Sequence, residues 1–426
     1  MYPDFHFFFQ QVFGIDIPVL SLLKTFGFLV ALAFLAGGYI IYLELKRKET
    51  DGIIGFTLEE IQKGKPLQWT ELGVQAFIGG LIGYKFFGMF ADWQLASPDP
   101  MSYLFSPQGN LWFGLGGALL GGYLYYNEVS KEAAKGLRTI QLKTWPHTRV
   151  GDIAMVAALG GFAGAKIFNA LETWDDFVRD PLGSLLSSSG LTFYGGLILA
   201  TLLLWRFSRK IKLDFRHLCD AAAPALLLAY GIGRLGCQVS GDGDWGIFNS
   251  AYMTNEQGKV VAASVTFDSL KLKYQDHLQR HFEPGTEIQA KSIQAPAFLP
   301  TWLVAYNYPN NVNRVGIPLA NCQGDYCAVL PMPVFPTPVY EFLAGIGLFF
   351  LLWAIRKRFT LPLSMFSLYL LVNGLERFLV EKIRVNYQYD WGWLHPTQAE
   401  IIAVGMILTG VLLFLFRKKI DDAINN

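Results

Sequence analysis

Residues 219–246 read CDAAAPALLLAYGIGRLGCQVSGDGDWG. The first part of this stretch is apolar enough to cross a bilayer, whose core about 30 Å thick needs about 20 such residues in a helix. One arginine, Arg234, stands near its end, and glycine-rich acidic sequence follows. An ionisable group within a span costs roughly 2.5–3.5 kcal/mol on insertion scales, so each one calls for a partner or a function. The stretch therefore predicts a membrane protein with polar chemistry where a span meets the headgroups.

Working outward, the same criterion predicts an all-α polytopic membrane protein with about nine transmembrane helices. They fall near 18–43, 73–91, 110–126, 151–171, 190–207, 219–237, 339–355, 362–380 and 399–416. Composition agrees: 16% of the 426 residues are charged and 52% hydrophobic, where soluble domains carry nearer a quarter charged. The positive-inside rule orients the spans. Lys46-Arg47-Lys48, Lys131 to Arg149, Arg206 to Lys212, Arg356-Lys357-Arg358 and Arg417-Lys418-Lys419 mark alternate loops. The opposite loops, as in Asp92 to Asp99 and Glu172 to Asp180, are acidic or mixed. The N-terminus is thus expected outside and the C-terminus inside. MYPDFHFFFQ has no basic region before its apolar stretch, so the first span is expected to be retained. A net charge of +1 argues against a nucleic-acid partner, and four dispersed cysteines form neither a disulfide scaffold nor a zinc pattern.

The segments expected are 1–72 with the first span, 73–150 and 151–240 as two related pieces, a small extracytoplasmic head over 241–338, and three final spans over 339–426. In the head, Lys259 to Phe267 has strand-like composition. Cys322 and Cys327 either pair in an oxidising compartment or stay as two thiols, as geometry decides.

The two related pieces form an internal repeat. GGLIGYKFF from Gly79 returns as GGFAGAKIF from Gly160, Asp99-Pro100 returns as Asp180-Pro181, and Phe113-Gly114 echoes Phe193-Tyr194. A duplicated two-helix hairpin with both copies oriented alike is expected. Lys85 and Lys166 occupy one slot of the repeat and are read as structural or headgroup contacts rather than acid–base groups.

Arg234 lies at the outer end of the sixth span, and Arg377, Glu381 and Arg384 at the outer end of the eighth, on one helix face by their spacing. Tyr194 opens the fifth span and Gln398 the ninth. Singly, each has an ordinary reading: a snorkelling arginine, an intrahelical ion pair, an aromatic-belt tyrosine. Together they are expected at one depth, and two guanidinium forks there suit a phosphate.

These residues resemble the prolipoprotein diacylglyceryl transferase family. Its Gly-Arg-Leu-Gly-Asn and Gly-Glu-x-Trp-Gly signature is matched by Gly233-Arg234-Leu235-Gly236-Cys237 and Gly241-Asp242-Gly243-Asp244-Trp245-Gly246. Its Phe-His-Gly-Gly resembles Phe193-Tyr194-Gly195-Gly196, its Tyr-Glu matches Tyr340-Glu341, its Arg-Phe-x-Val-Glu-x-x-Arg matches Arg377 through Arg384, and its Gly-Gln resembles Thr397-Gln398. The resemblance implies transfer of the diacylglyceryl group of phosphatidylglycerol to the lipobox cysteine of a prolipoprotein, releasing glycerol phosphate, with no cofactor and no metal. It implies Arg234, Arg377 and Tyr194 as catalytic. Gly195, Gly196, Cys237, Asp242 or Asp244, Gly246, Tyr340, Glu381, Arg384 and Gln398 are implied as substrate-binding. Tyr194 stands where the family has histidine, and a phenol with an ordinary pKa near 10 is a poor base at neutral pH. The family usually has seven spans, so the duplication accounts for the extra hairpin. A transporter would also carry repeats, although transporter repeats often invert. A non-catalytic lipid-binding relative is the other alternative, and a change at Arg234 separates it from an enzyme.

Overall fold

The computed structural model describes residues 1–96, 103–104, 106–186, 190, 192–243, 245–282, 286–320, 322 and 324–425. Asp99-Pro100 of the repeat and Asp244 of the signature lie outside the described residues.

Among the described residues the long helices are α1 (Thr25–Thr50), α2 (Trp69–Ile82), α3 (Leu111–Ala133), α4 (Val150–Glu172), α5 (Phe193–Lys210), α6 (Phe215–Ser240), α7 (Thr337–Ile355), α8 (Ser364–Glu381) and α9 (Gln398–Asn425). The chain is mostly helical, and six segments are long and apolar enough to cross a membrane: Thr25–Thr50, Trp69–Ala91, Pro146–Glu172, Phe215–Ser240, Thr337–Arg358 and Gln398–Ile424. It is an all-α polytopic membrane protein. The other three expected spans coincide with α3, α5 and α8, whose apolar character is diluted by Glu128, Lys131 and Glu132, by Arg206, Arg209 and Lys210, and by Glu376, Arg377 and Glu381.

The chain divides into two compact units, Met1–Ile54 with Leu213–Asn426, and Gly55–Lys212. In the first, α6 packs against α1, α7 and α8, and α8 against α9. Asp214 caps α6 by accepting the Arg216 N–H, and Gly241 ends it in the left-handed region at φ 69°. Helices α6 and α7 approach closely where a Cβ on Gly345 would lie 3.1 Å from the Gly231 Cα. Ile40, Ala223, Leu227, Phe349, Leu352 and Met365 fill the apolar middle. Below them, Lys48 Nζ lies 3.6 Å from Asp220 Oδ2, with both side chains buried, and Glu44 accepts from Arg47 Nε (3.0 Å) and Arg356 Nε (3.2 Å). These charges are paired, as burial requires.

Between α6 and α7 lies a small folded head with its own core of Phe248, Leu270, Leu278, Tyr308, Val315, Leu330, Met332 and Val334. Its strands are short, as in Tyr252–Thr254 paired antiparallel with Val260–Ala262. The strand expected over Lys259 to Phe267 stops at Ala262, because Thr266 caps a helix over Phe267–Lys273. Tyr308 is buried and donates its hydroxyl to Gln238 Oε1 (2.8 Å), which fastens the head to the end of α6. Cys322 and Cys327 are disulfide-bonded, with their Cα atoms 5.5 Å apart.

In the second unit the hairpins α2/α3 and α4/α5 repeat one set of contacts. Lys85 Nζ donates to the Tyr103 carbonyl (3.3 Å) and Lys166 Nζ to the Ser184 carbonyl (3.3 Å), eighteen residues downstream in both cases. The Asn110 N–H reaches the Tyr84 carbonyl (3.0 Å), and the Thr192 N–H reaches the Ala165 carbonyl (3.2 Å). The two lysines thus fasten the connection between their helices to its own backbone. Glycines bring the helices together: a Cβ on Gly79 would lie 2.4 Å from the Gly117 carbonyl oxygen, and one on Gly164 2.3 Å from that of Gly195. A ribbon absent from the sequence reading, Thr57–Lys63 antiparallel with Arg138–Thr144, brackets the first hairpin.

Candidate functional site

Helix α7 carries Glu341 one turn from its start, and this carboxylate is fully buried. Three guanidiniums converge on it. Arg234 Nε of α6 lies 3.3 Å from Oε2, while Arg377 Nη1 of α8 and Arg384 Nη1 just beyond α8 lie 3.5 and 3.4 Å from Oε1. Arg377 Nη2 also meets Glu381 Oε2 at 2.9 Å, one turn along α8. A carboxylate buried inside a membrane protein calls for such partners.

Glu381 is fixed from its other side. Its Oε1 accepts from Thr397 Oγ1 (2.8 Å) and from Asn386 Nδ2 (2.6 Å). Thr397 is also the cap of α9. The Thr397 N–H donates to Glu400 Oε2 (3.1 Å) and the Glu400 N–H to Thr397 Oγ1 (3.2 Å), a reciprocal capping box. Glu400 Oε1 in turn meets Lys382 Nζ at 2.5 Å. On the far side, the Arg234 guanidinium stacks 5.3 Å from the Tyr230 ring centroid, and the Tyr230 hydroxyl donates to Glu376 Oε1 (3.3 Å).

Three arginines thus meet on Glu341, and one of them, Arg377, also on Glu381. Arg377 Nη1 is buried and makes no hydrogen bond among the described residues, its contact with Glu341 Oε1 at 3.5 Å being an ion pair only.

The glycine-rich exit of α6 closes the cluster. Gly246 donates its N–H to the Phe335 carbonyl (2.9 Å) and pairs antiparallel with Arg384. A Cβ there would lie 2.7 Å from the Ile383 carbonyl oxygen and 2.9 Å from that of Phe335, so only glycine fits. This contact sets the backbone from which Arg384 reaches Glu341. Burial pushes the Asp242 carboxyl above the usual carboxylate range, against the Cys237 thiol, Arg234 and Arg384, which pull it down. Cys237 is buried and free.

Of the residues singled out in the sequence, Arg234, Arg377, Glu381 and Arg384 are brought together directly. Tyr340 donates its hydroxyl to the Leu303 carbonyl and anchors α7 to the head. Gln398 is exposed, and its neighbour Thr397 makes the contact to Glu381. Tyr194, Gly195 and Gly196 belong to the second unit. There Tyr194 is exposed, and Gly195 and Gly196 let α5 approach α4, with the Gly164 and Gly161 carbonyl oxygens 2.6 and 2.7 Å from where their Cβ atoms would be. Glu341 and Thr397 were missed as site residues, although an acid one residue into a matched Tyr-Glu pair and a Thr-x-x-Glu box were the available signals.

The family model described as prolipoprotein diacylglyceryl transferase matches residues 111–416. The chain belongs to the prolipoprotein diacylglyceryl transferase family. The match runs from α3 into α9 and so contains every residue of the arginine cluster in this diacylglyceryl transferase family member. Curated relatives named phosphatidylglycerol–prolipoprotein diacylglyceryl transferase agree. The one from Leptospira interrogans is 27% identical over 311 residues, covering 62% of this chain and 77% of its own length. That from Pseudomonas aeruginosa is 24% identical over 338 residues, covering 76% and 96%. That from Chlorobaculum tepidum is 26% identical over 293 residues, covering 65% and 76%.

Proposed function

We propose that this transferase moves the diacylglyceryl group of phosphatidylglycerol to the lipobox cysteine thiol of a prolipoprotein, and that the arginines gathered on Glu341 hold the lipid phosphate. The observation that carries the assignment is the convergence of Arg234, Arg377 and Arg384 on the buried Glu341. A C–S bond forms at the glycerol carbon as its C–O bond to phosphate breaks. Glycerol phosphate leaves with the bonding pair, and the thiol proton passes to the departing phosphate or to water. Negative charge gathers on the leaving oxygen, and fixed guanidiniums stabilise it without reorganising. Arg234 and Arg377 take this role, Arg384 completes the positive wall, and Glu341 and Glu381 hold all three in place.

The proposed topology has nine spans, with α3, α5 and α8 crossing beside the six more apolar segments. The N-terminus and head lie outside the cytoplasmic membrane and the C-terminus lies inside. Alternation of basic loops supports this, as does the Cys322–Cys327 disulfide in the head, since disulfides persist in oxidising compartments. The cluster then faces the periplasmic side. Cells depleted of their own prolipoprotein diacylglyceryl transferase test the proposal. The wild-type chain is expected to restore growth and the gel mobility of mature lipoproteins, and Arg234→Ala is expected to fail at equal expression. Restoration by Arg234→Ala would refute the assignment.

A further inference from the structure

At the opposite end of α5 from Tyr194, α4 and α5 flank an open groove of about 630 Å³. Val156 and Leu159 of α4 and Leu203 and Phe207 of α5 form apolar walls, and Arg206, Arg209 and Lys210 rim it with Trp205. The Arg209 guanidinium lies 3.9 Å from the Trp205 ring centroid, which holds that cation over the groove. Leu203, Arg206 and Lys210 share a helix face by spacing, so apolar wall and charged rim are continuous. None of the three cations has an ion pair among the described residues, and the next acid in sequence, Asp214, is engaged by Arg216.

We propose that this groove binds one anionic phospholipid, its phosphate on Arg206, Arg209 and Lys210 and an acyl chain against Val156, Leu159, Leu203 and Phe207. The site shares no residue with the arginine–glutamate cluster. Basic residues at a helix end serve orientation alone under the positive-inside rule and favour the negative end of the helix dipole. Neither effect calls for an apolar groove leading up to them. Groove and rim together match an amphiphile with a negative head and a hydrocarbon tail. The volume lies within the 300–1,000 Å³ or so typical of ligand sites.

The test uses the full chain, purified and delipidated in detergent and titrated in native mass spectrometry. Arms contain phosphatidylglycerol, phosphatidylcholine and soluble glycerol phosphate, each against wild type and Arg234→Ala. Phosphatidylglycerol is expected to bind with a tightly held lipid that persists in Arg234→Ala. The combined Arg206→Ala, Arg209→Ala and Lys210→Ala variant is expected to lose that lipid with about a hundredfold weaker affinity, each cation contributing about a factor of five. Leu159→Trp, which fills the groove and leaves the charges, is expected to lose it too. The three arginine and lysine positions exchanged conservatively (Arg206→Lys, Arg209→Lys, Lys210→Arg) should retain it. Transfer activity should be unchanged in the groove variants, showing that they fold. Equal binding of phosphatidylcholine, retention of the lipid by the triple alanine variant, or full competition by glycerol phosphate would overturn the proposal.

Discussion

Replacing Glu341 by glutamine removes a charge, keeps the side chain's shape, and strips three arginines of their shared partner. Each pair sits at 3.3–3.5 Å. At an effective dielectric near 20 such a pair is worth about 5 kcal/mol of attraction, most of it offset by the cost of burying the ions. What the substitution exposes is the other side of that balance, about 3–5 kcal/mol for leaving buried charges without their partner. The guanidiniums are then free to splay, and loss of one aligned donor costs about 10²–10³ in kcat. Lipid attraction does not fall, because the variant gains net positive charge. The expected signature for Glu341→Gln is therefore a kcat lowered by about a hundredfold, a KM for phosphatidylglycerol not raised, and a lower melting temperature in detergent. Initial rates with a lipobox peptide over a phosphatidylglycerol titration read both constants. A kcat within about threefold of wild type, or a loss confined to KM, would refute the alignment role.

Thr397→Ala removes the α9 cap and one hydrogen bond to Glu381, with an expected stability loss of about 1–2 kcal/mol by denaturation in detergent, whereas exposed Gln398→Ala should change stability by less than about 0.5 kcal/mol. Gly246→Ala forces a methyl against the Ile383 and Phe335 carbonyls. It should cost about 1–3 kcal/mol and lower transfer activity by shifting Arg384, with thermal unfolding and rates as the paired readouts. His277 is pushed down to about 4 by burial, His281 and Arg280. Below its unfolded value near 6.5 the unfolded chain takes the proton first, so this contribution to stability is present above 6.5 and is lost as pH falls towards 4. Melting temperatures at pH 7 and pH 5 should differ less in His277→Gln than in wild type. Tyr194→Phe should keep activity within about tenfold, since Tyr194 is exposed and the change removes only its hydroxyl; a loss beyond a hundredfold in the peptide assay would place that hydroxyl in the chemistry.

The long apolar runs made the spans readable, because a helix in lipid must satisfy its own backbone and so advertises itself by length. The repeat was readable for a related reason: Lys85 and Lys166 serve the same backbone contact in both copies, so the sequence keeps one slot. The ribbon of Thr57–Lys63 with Arg138–Thr144 was not, since each seven-residue strand finds its partner across a whole helical hairpin. Arg234 and Arg377 stood out because cations in spans are conspicuous. Glu341 did not, although it is the group that gathers them, because its only signal was the matched Tyr340-Glu341 pair, in which the tyrosine was taken as the site residue. Sequence spacing led to Gln398, while the cap geometry at Thr397 decides which residue reaches Glu381.

The most direct measurement is intact mass of a synthetic lipobox peptide after incubation with the purified chain and phosphatidylglycerol, run beside Arg234→Ala, Arg377→Ala and a peptide with serine in place of cysteine. The account expects one diacylglyceryl addition on the cysteine peptide with wild type, none on the serine peptide, and near-complete loss with either arginine variant. Addition undiminished in both arginine variants, or no addition by folded wild-type protein that binds the lipid, would contradict it.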